Sequence, residues 1–376
     1  DDVHPPVKTV AALLLTGVLV ARCRSTDTRH EVTPALEAVI AGAPAWVTEK
    51  QPSPRATEAL KLLHTAGDHG LESVDYGEAR IEELHHGIQD VDKDTPELRL
   101  RLAEFDVRVT AALLAFGRDV ALGRADAKTL ESLWEERRVA PDFAATLNAA
   151  VDADLDDWID LVQPHHEEYG ALRKALGDLR GQLDRGGWPR VDAAALTPGT
   201  SHPAVLQLRQ RLAAGGHLED KQATSTSTTF DDGLVDPVKA FQELHGIKAT
   251  GIVDAPTLAA MNVSIEQRLE QVELNLERWR WMPDDFGAQH LLVNIPAYHL
   301  YARENGTTVM DIRVVVGKVG KETPVFSEDM EHAKSALGHV KFLFPNSHNV
   351  YLHDTPADAL FARPTRAFSH GCVRVE

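Results

Sequence analysis

The sequence contains very little cysteine. Only Cys23 and Cys372 occur in its 376 residues, and they lie near opposite ends of the chain. Two cysteines cannot build a disulfide framework, and they cannot supply the paired Cys-x-x-Cys ligands of a structural zinc site. Each thiol is therefore either inert or a catalytic nucleophile.

Long apolar runs and an excess of positive charge are also missing. No apolar stretch approaches the ~18 residues that indicate a membrane-spanning helix. Lys and Arg number 39 against 57 Asp and Glu, which gives a net charge of −18. Because so acidic a chain repels phosphate backbones on average, we do not expect nucleic acid as a partner. The length is sufficient for two or three domains.

Residues 1–32 contain one short apolar segment. Lys8 precedes the stretch Val10–Ala21, which has the length of a signal-peptide core and is too short to span a bilayer. Arg22 lies where a lipid-attachment site at Cys23 would have a small residue. We expect a signal or anchor segment here, and the alternative is a short buried helix or strand.

Residues 33–197 are predicted to form an all-α domain. Apolar residues recur every three or four positions, as between Leu98 and Leu113. The histidine pairs His85–His86 and His165–His166 do not predict a metal site, because adjacent side chains on a helix diverge. We expect these pairs to be solvated.

Residues 198–262 are predicted to form a small unit of three helices. Four short segments carry its pattern: Val205–Leu212, Val238–Gly246, Gly251–Asp254 and Thr257–Leu258. Together they resemble the three-helix peptidoglycan-binding module of many cell-wall enzymes. The same residues would also pack three helices that bind nothing. The pattern therefore predicts the fold of the module and leaves glycan binding open.

Residues 263–376 change to a strand-like pattern. Apolar and polar residues alternate from Leu291 to Ile295 and again from Ile312, and Glu304–Gly306 is typical of a turn. The segment Leu274–Trp281 reads as a helix that leads into this β-rich domain. We expect its tryptophans to pack that helix against the sheet. The predicted fold class is thus a multidomain α+β protein.

The end of the chain contains the residues that suggest chemistry. Cys372 follows Gly371 and His370, and His353 lies nineteen positions earlier on a separate segment. A glycine lets a substrate carbonyl approach the backbone, and a histidine can activate a thiol. The flanking side chains are too polar for a buried core strand, which disfavours an inert cysteine.

These phrases resemble the catalytic signature of the L,D-transpeptidases, the cysteine enzymes that crosslink peptidoglycan stem peptides. The resemblance implies that Cys372 is the nucleophile and His353 the base, with His370 and Gly371 shaping the turn that presents the thiol. The helical N-terminal region and inserted module are most similar to the large Gram-negative branch. In that branch Arg374 recurs and Tyr351 lines the site, so both are candidate substrate-binding residues.

Two departures from that branch affect the expected domain. The phrase beginning at Thr323 is followed almost directly by Gly338–Phe342, so we expect the catalytic domain, residues 263–376, to lack the capping insertion. The chain also ends four residues after Cys372, where the family continues with a further helix.

The residue types suggest how the reaction proceeds. An amide carbonyl is a poor electrophile, so the enzyme needs a strong nucleophile, oxyanion donors and a proton for the leaving amine. We expect the backbone N–H groups of the Ser369–Cys372 turn to be the oxyanion donors. Either Asp354 or a backbone carbonyl orients His353. No metal or organic cofactor is required.

The expected function is therefore an exported, periplasmic transpeptidase, held at the membrane through its N-terminus, that forms 3-3 crosslinks through a thioester. Alternatives are an L,D-carboxypeptidase or wall-anchoring enzyme, and a non-catalytic wall-binding scaffold. The expected partners are peptidoglycan stem peptides and glycan, carbapenem-type inhibitors and other cell-wall synthesis proteins.

Overall fold

The computed structural model describes residues 44–48, 50–89, 95–125, 138–151, 153–323, 341–342, 350, 352–353, 355 and 357–376. The predicted signal segment lies outside this range. The described residues form two compact units, one with residues up to 125, 138–177 and 272–284, the other with residues 178–271 and 285–376. No described helix is long and apolar enough to cross a membrane.

Helices occupy both units. Their bounds are α1 Pro54–His64, α2 Glu78–Gln89, α3 Pro96–Leu122, α4 Phe143–Val151, α5 Leu155–Val162, α6 Glu167–Asp184, α7 Ala204–Ala214, α8 Asp220–Ala223, α9 Val235–Leu244, α10 Ala255–Met261 and α11 Ile265–Trp281.

The first unit is built around α3. Thr95 caps this helix by accepting a hydrogen bond from the Leu98 N–H at 3.1 Å, and Pro96 occupies the first helical position, where a missing N–H costs nothing. Trp46 is fully buried against α3 and donates from Nε1 to Thr110 Oγ1 at 2.8 Å. The prediction of an all-α N-terminal region is confirmed.

Asp106 of α3 should make the first unit less stable as the pH rises. Its carboxylate accepts the Trp46 N–H at 2.7 Å, but burial raises the pKa from 3.8 to about 6. Because the pKa of this carboxyl is higher in the folded state than in the unfolded state, its contribution to the free energy of unfolding is fully present below the unfolded-state pKa. The contribution is lost as the pH rises through the folded-state pKa. At about 1.4 kcal/mol per pH unit, this contribution is roughly 3 kcal/mol.

Asp106→Asn keeps the oxygen acceptor and removes the charge. The variant should therefore not show the decrease in the free energy of unfolding that Asp106 causes between pH 4 and pH 6. Denaturant unfolding at several pH values measures it, with Asp157→Asn on the exposed side of α5 as the matched control. Parallel pH profiles for wild type and Asp106→Asn would contradict the assignment. Burial likewise raises the pKa of Asp119 to about 6, so some pH dependence should persist.

The C-terminal half of α11 belongs to the first unit. Trp281 is buried there and donates to Glu277 Oε1 at 3.3 Å, while the same oxygen accepts the Arg124 N–H at 2.6 Å. Trp279 lies with its ring 5.0 Å from that of His166. The prediction that these tryptophans pack the helix against the sheet is therefore wrong, because their partners are residues of the helical unit.

The histidine pairs are only partly solvated. His86 and His165 are exposed, as predicted. His85 is half-buried, with its ring 5.8 Å from that of Phe105, and His166 donates from Nε2 to the Pro283 carbonyl at 2.8 Å. The prediction is wrong for these two members, since each imidazole packs against a neighbour that is distant in sequence.

Helices α7, α9 and α10 form the predicted three-helix module. Gln242 of α9 is fully buried and organises the loop that follows: it accepts the Gly251 N–H at 2.9 Å and donates to the Ile252 carbonyl and the Thr257 hydroxyl at 2.8 and 2.9 Å. A buried amide is tolerated because its hydrogen-bonding atoms are paired. The predicted helices are confirmed, including the stop at Gly246, whose φ is 64°.

A sheet occupies the end of the second unit. Its strands are β1 Gln289–Asn294, β2 His299–Glu304, β3 Thr307–Gly317, β4 Lys341–Phe342, β5 Leu352–His353, β6 Ala367–Ser369 and β7 Val373–Val375. Their order is β1-β2-β3-β7-β5-β4, with β6 beside β3. Asn305 and Gly306 both have positive φ and close the β2–β3 hairpin at the predicted turn. The α+β fold class is confirmed.

Candidate active site

Two short, adjacent strands of the sheet carry the predicted base and lead out of the predicted nucleophile. Strands β5 and β7 are parallel, with Leu352 opposite Val373 and His353 opposite Arg374. Cys372 immediately precedes β7. With strands about 4.8 Å apart and a rise of ~3.3 Å per residue, the Cα atoms of Cys372 and His353 are separated by roughly 8 Å.

Alternation along the strands places the chemistry on one face. Leu352, Val373 and Val375 are buried in the core of the sheet. Their neighbours His353, Cys372 and Arg374 are half-buried and belong to the opposite face, because successive strand residues point in opposite directions. Side chains at diagonal positions on one face can approach each other. The thiol and the imidazole therefore share a half-open surface.

The turn before the thiol is held by one buried hydroxyl. Ser369 is 1% exposed; its Oγ accepts the Gly371 N–H at 3.2 Å and donates to the Cys372 carbonyl at 2.5 Å. Gly371 has a φ of +115°, a conformation that residues with a Cβ rarely adopt. The backbone of this turn thus accounts for Ser369 and Gly371 in the sequence Ser-His-Gly-Cys.

A second buried hydroxyl comes from the segment that follows β3. Thr323 donates to the Gly371 carbonyl at 2.7 Å and accepts the Gly317 N–H at 2.9 Å. A Cβ on Gly317 would lie 2.5 Å from the Thr323 nitrogen, so only glycine allows the segment 318–323 to fold back this closely. Sequence similarity alone marks Thr323 only as the start of a family phrase and gives no sign of these two hydrogen bonds.

This arrangement suits acyl transfer. A free, partly accessible thiol shares a face of the sheet with the His353 imidazole, and the backbone before the thiol is ordered by hydrogen bonds. Thiol, base and oriented N–H groups are what nucleophilic attack on a carbonyl requires.

Comparison with known families agrees with this geometry. Residues 288–376 match the model of the L,D-transpeptidase catalytic domain. This part of the chain is an L,D-transpeptidase catalytic domain. Residues 201–261 match a "Putative peptidoglycan binding domain", and residues 40–176 match a scaffold domain.

One curated relative matches part of the chain. It is a "Putative L,D-transpeptidase" of Haemophilus influenzae, 28% identical over 187 residues, an alignment that covers 32% of this chain and 37% of the relative. The chain thus spans little more than a third of the length of that relative.

The other predicted site residues of the L,D-transpeptidase domain differ in their exposure to solvent. His370 is exposed at the turn, and Arg374 is half-buried on the same face as Cys372. The Arg374 Nε is buried, and no described residue accepts a hydrogen bond from it. Tyr351 and Asp354 lie outside the described residues, so the roles expected for them stay predictions.

Arg366 also holds the backbone around the candidate site, a role that the sequence does not predict. It is 8% exposed and donates to the carbonyls of Val314, Tyr298 and Arg363 at 3.2, 3.0 and 3.0 Å. These bonds tie β3 and two loops to the start of β6, which leads into the Ser-His-Gly-Cys turn. A lone arginine in sequence gives no signal for this role, because two of its partners lie more than 50 positions away.

A cluster of potential metal ligands lies in the helical unit and not in the candidate active site. Among the described residues, His64, Glu78 and Glu82 place their donor atoms within 4.8 Å of one another. They lie on α1 and α2 of the helical unit, where His64 pairs with both carboxylates.

Proposed function

We propose that this protein is a cysteine L,D-transpeptidase that forms 3-3 crosslinks between peptidoglycan stem peptides. The observation that carries the proposal is the pairing of β5 with β7, which puts His353 and Cys372 on one face of an L,D-transpeptidase domain. The neighbouring peptidoglycan-binding match supports the same substrate.

The first half of the reaction forms a thioester. The sulfur of Cys372 attacks the carbonyl at the L-centre of diaminopimelate in a donor tetrapeptide, and His353 takes the thiol proton. Backbone N–H groups of the Ser369–Cys372 turn donate hydrogen bonds to the oxyanion that forms, each worth about 3–4 kcal/mol by analogy with other oxyanion holes. The C–N bond breaks, and His353 returns the proton to the departing D-alanine amine.

The second half resolves the thioester. The side-chain amine of an acceptor stem attacks the thioester carbonyl, a C–N bond forms, and the C–S bond breaks. The proton lost by the amine returns through His353 to the Cys372 sulfur. If water replaces the amine, the product is a shortened stem and the enzyme is a carboxypeptidase.

We place this activity in the periplasm, because its substrate is cell-wall material, and we assign export to residues 1–32. Arg374, on the same face as the thiol, is suited to bind a substrate carboxylate. Inhibition by carbapenems follows from the same chemistry, since a strained lactam carbonyl can acylate the thiol.

Product analysis distinguishes the candidate functions. Purified protein incubated with disaccharide-tetrapeptides should yield 3-3 linked dimers and free D-alanine, identified by mass spectrometry. Shortened monomers without dimers would indicate a carboxypeptidase, and anchoring would require a protein amine as acceptor. Unchanged tetrapeptide, with a folded protein, would support a wall-binding scaffold and contradict the proposal.

A further inference from the structure

We propose that Thr323 is a positioning residue that aims the Cys372 N–H toward the oxyanion. The inference rests on the proposed acyl transfer and adds a residue from outside the Ser-His-Gly-Cys signature. Thr323 lies 48 positions before Gly371, whose carbonyl it binds.

The peptide group between Gly371 and Cys372 carries both the Gly371 carbonyl and the Cys372 N–H. In a trans peptide the carbonyl and the N–H point in opposite directions. Thr323 holds the Gly371 carbonyl at 2.7 Å in a buried position. The N–H of Cys372 is thereby directed away from Thr323, on the other side of the same rigid plane.

This peptide group needs an external restraint. Gly371 has no Cβ and a φ of +115°, so its own steric preferences do little to select one orientation. Ser369 restrains the peptide groups on either side, through the Gly371 N–H and the Cys372 carbonyl. Thr323 restrains the one between them.

Thr323 is itself firmly placed. Its Oγ1 accepts the Gly317 N–H at 2.9 Å, so the hydroxyl proton is left to donate to Gly371. The segment that leads to it forms a turn closed by Lys321 N–H to Lys318 O at 2.8 Å. The Lys318 N–H in turn donates to Ser369 O at 3.0 Å. The hydroxyl therefore links the end of β3 to the catalytic turn.

The test compares Thr323→Val with Thr323→Ser, since valine keeps the shape without the hydroxyl and serine keeps the hydroxyl. Two reactions of Cys372 are measured in the full chain. Carbapenem acylation forms an S–C bond, breaks the lactam C–N bond and gives the nitrogen a proton, with oxyanion charge on the way. Alkylation by iodoacetamide displaces iodide and develops no oxyanion.

Thr323→Val should slow acylation about 10- to 100-fold, somewhat less than the loss of a whole oxyanion donor. Alkylation should change less than about twofold, and Thr323→Ser should recover most of the acylation rate. Equal slowing of both reactions would mean a merely structural role and would overturn the inference. So would an unchanged acylation rate in Thr323→Val, or a serine variant as slow as the valine variant.

A readout without chemistry separates this inference from the proposed function. The amide resonances of Gly317 and Cys372 should shift in Thr323→Val and return toward their original positions in Thr323→Ser. If wild-type protein crosslinks no stems, the proposed function fails, while these shifts still report on the positioning. Unmoved resonances in Thr323→Val would overturn the inference even in an active enzyme.

Discussion

Cys372→Ala should reduce acyl transfer by several orders of magnitude while the protein remains folded. The thiolate is the nucleophile of the proposed reaction, and no water-based route replaces a covalent intermediate at a comparable rate. Cys372 is half-buried and its side chain is small, so we expect a change in stability below about 1 kcal/mol. Dimer formation from tetrapeptides and the unfolding midpoint measure the two effects.

Cys23→Ala is the matched control, since it removes the other cysteine of the chain. It should keep the wild-type rate. Crosslinking that survives in Cys372→Ala, or that disappears in Cys23→Ala, would refute the assignment of the nucleophile.

His353→Ala should lower the rate of crosslinking by about 10²- to 10⁴-fold, the usual contribution of a positioned general base. His353 lies opposite Arg374 on the strand beside the nucleophile, where it can take the thiol proton and return it to the leaving amine. Because a nucleophile and its base act as a unit, the double variant with Cys372→Ala should be no slower than Cys372→Ala alone.

His370→Ala provides the control for a neighbouring imidazole. His370 is exposed at the turn, so its loss should have a much smaller effect on the rate. An inactive His370→Ala beside an active His353→Ala would show that the base has been assigned to the wrong histidine.

The strong periodic patterns in the sequence predicted the elements well. The three helices of the module and the hairpin at Asn305–Gly306 occur where apolar spacing and turn residues place them. The tryptophans of α11 show the limit of such patterns. Hydrophobicity indicates that Trp281 is buried, but it does not say whether a helix or a sheet covers it.

Local phrases in the sequence indicate the candidate pair Cys372 and His353, but they do not indicate the residues that hold the backbone around it. Thr323 and Arg366 act through backbone atoms, and backbone acceptors leave no mark in the sequence. Arg366 binds the carbonyl of Tyr298, which lies 68 positions away. Only the pairing of β3 with β6 and β7 brings such groups together.

The most direct test of the account is to locate the covalent adduct. Full-length protein is incubated with a carbapenem, its intact mass is measured, and the modified peptide is identified after proteolysis. We expect the mass to rise by one drug molecule, carried by the peptide that contains Cys372 and absent from Cys372→Ala. An unmodified mass after long incubation, or an adduct on any other residue, would contradict it.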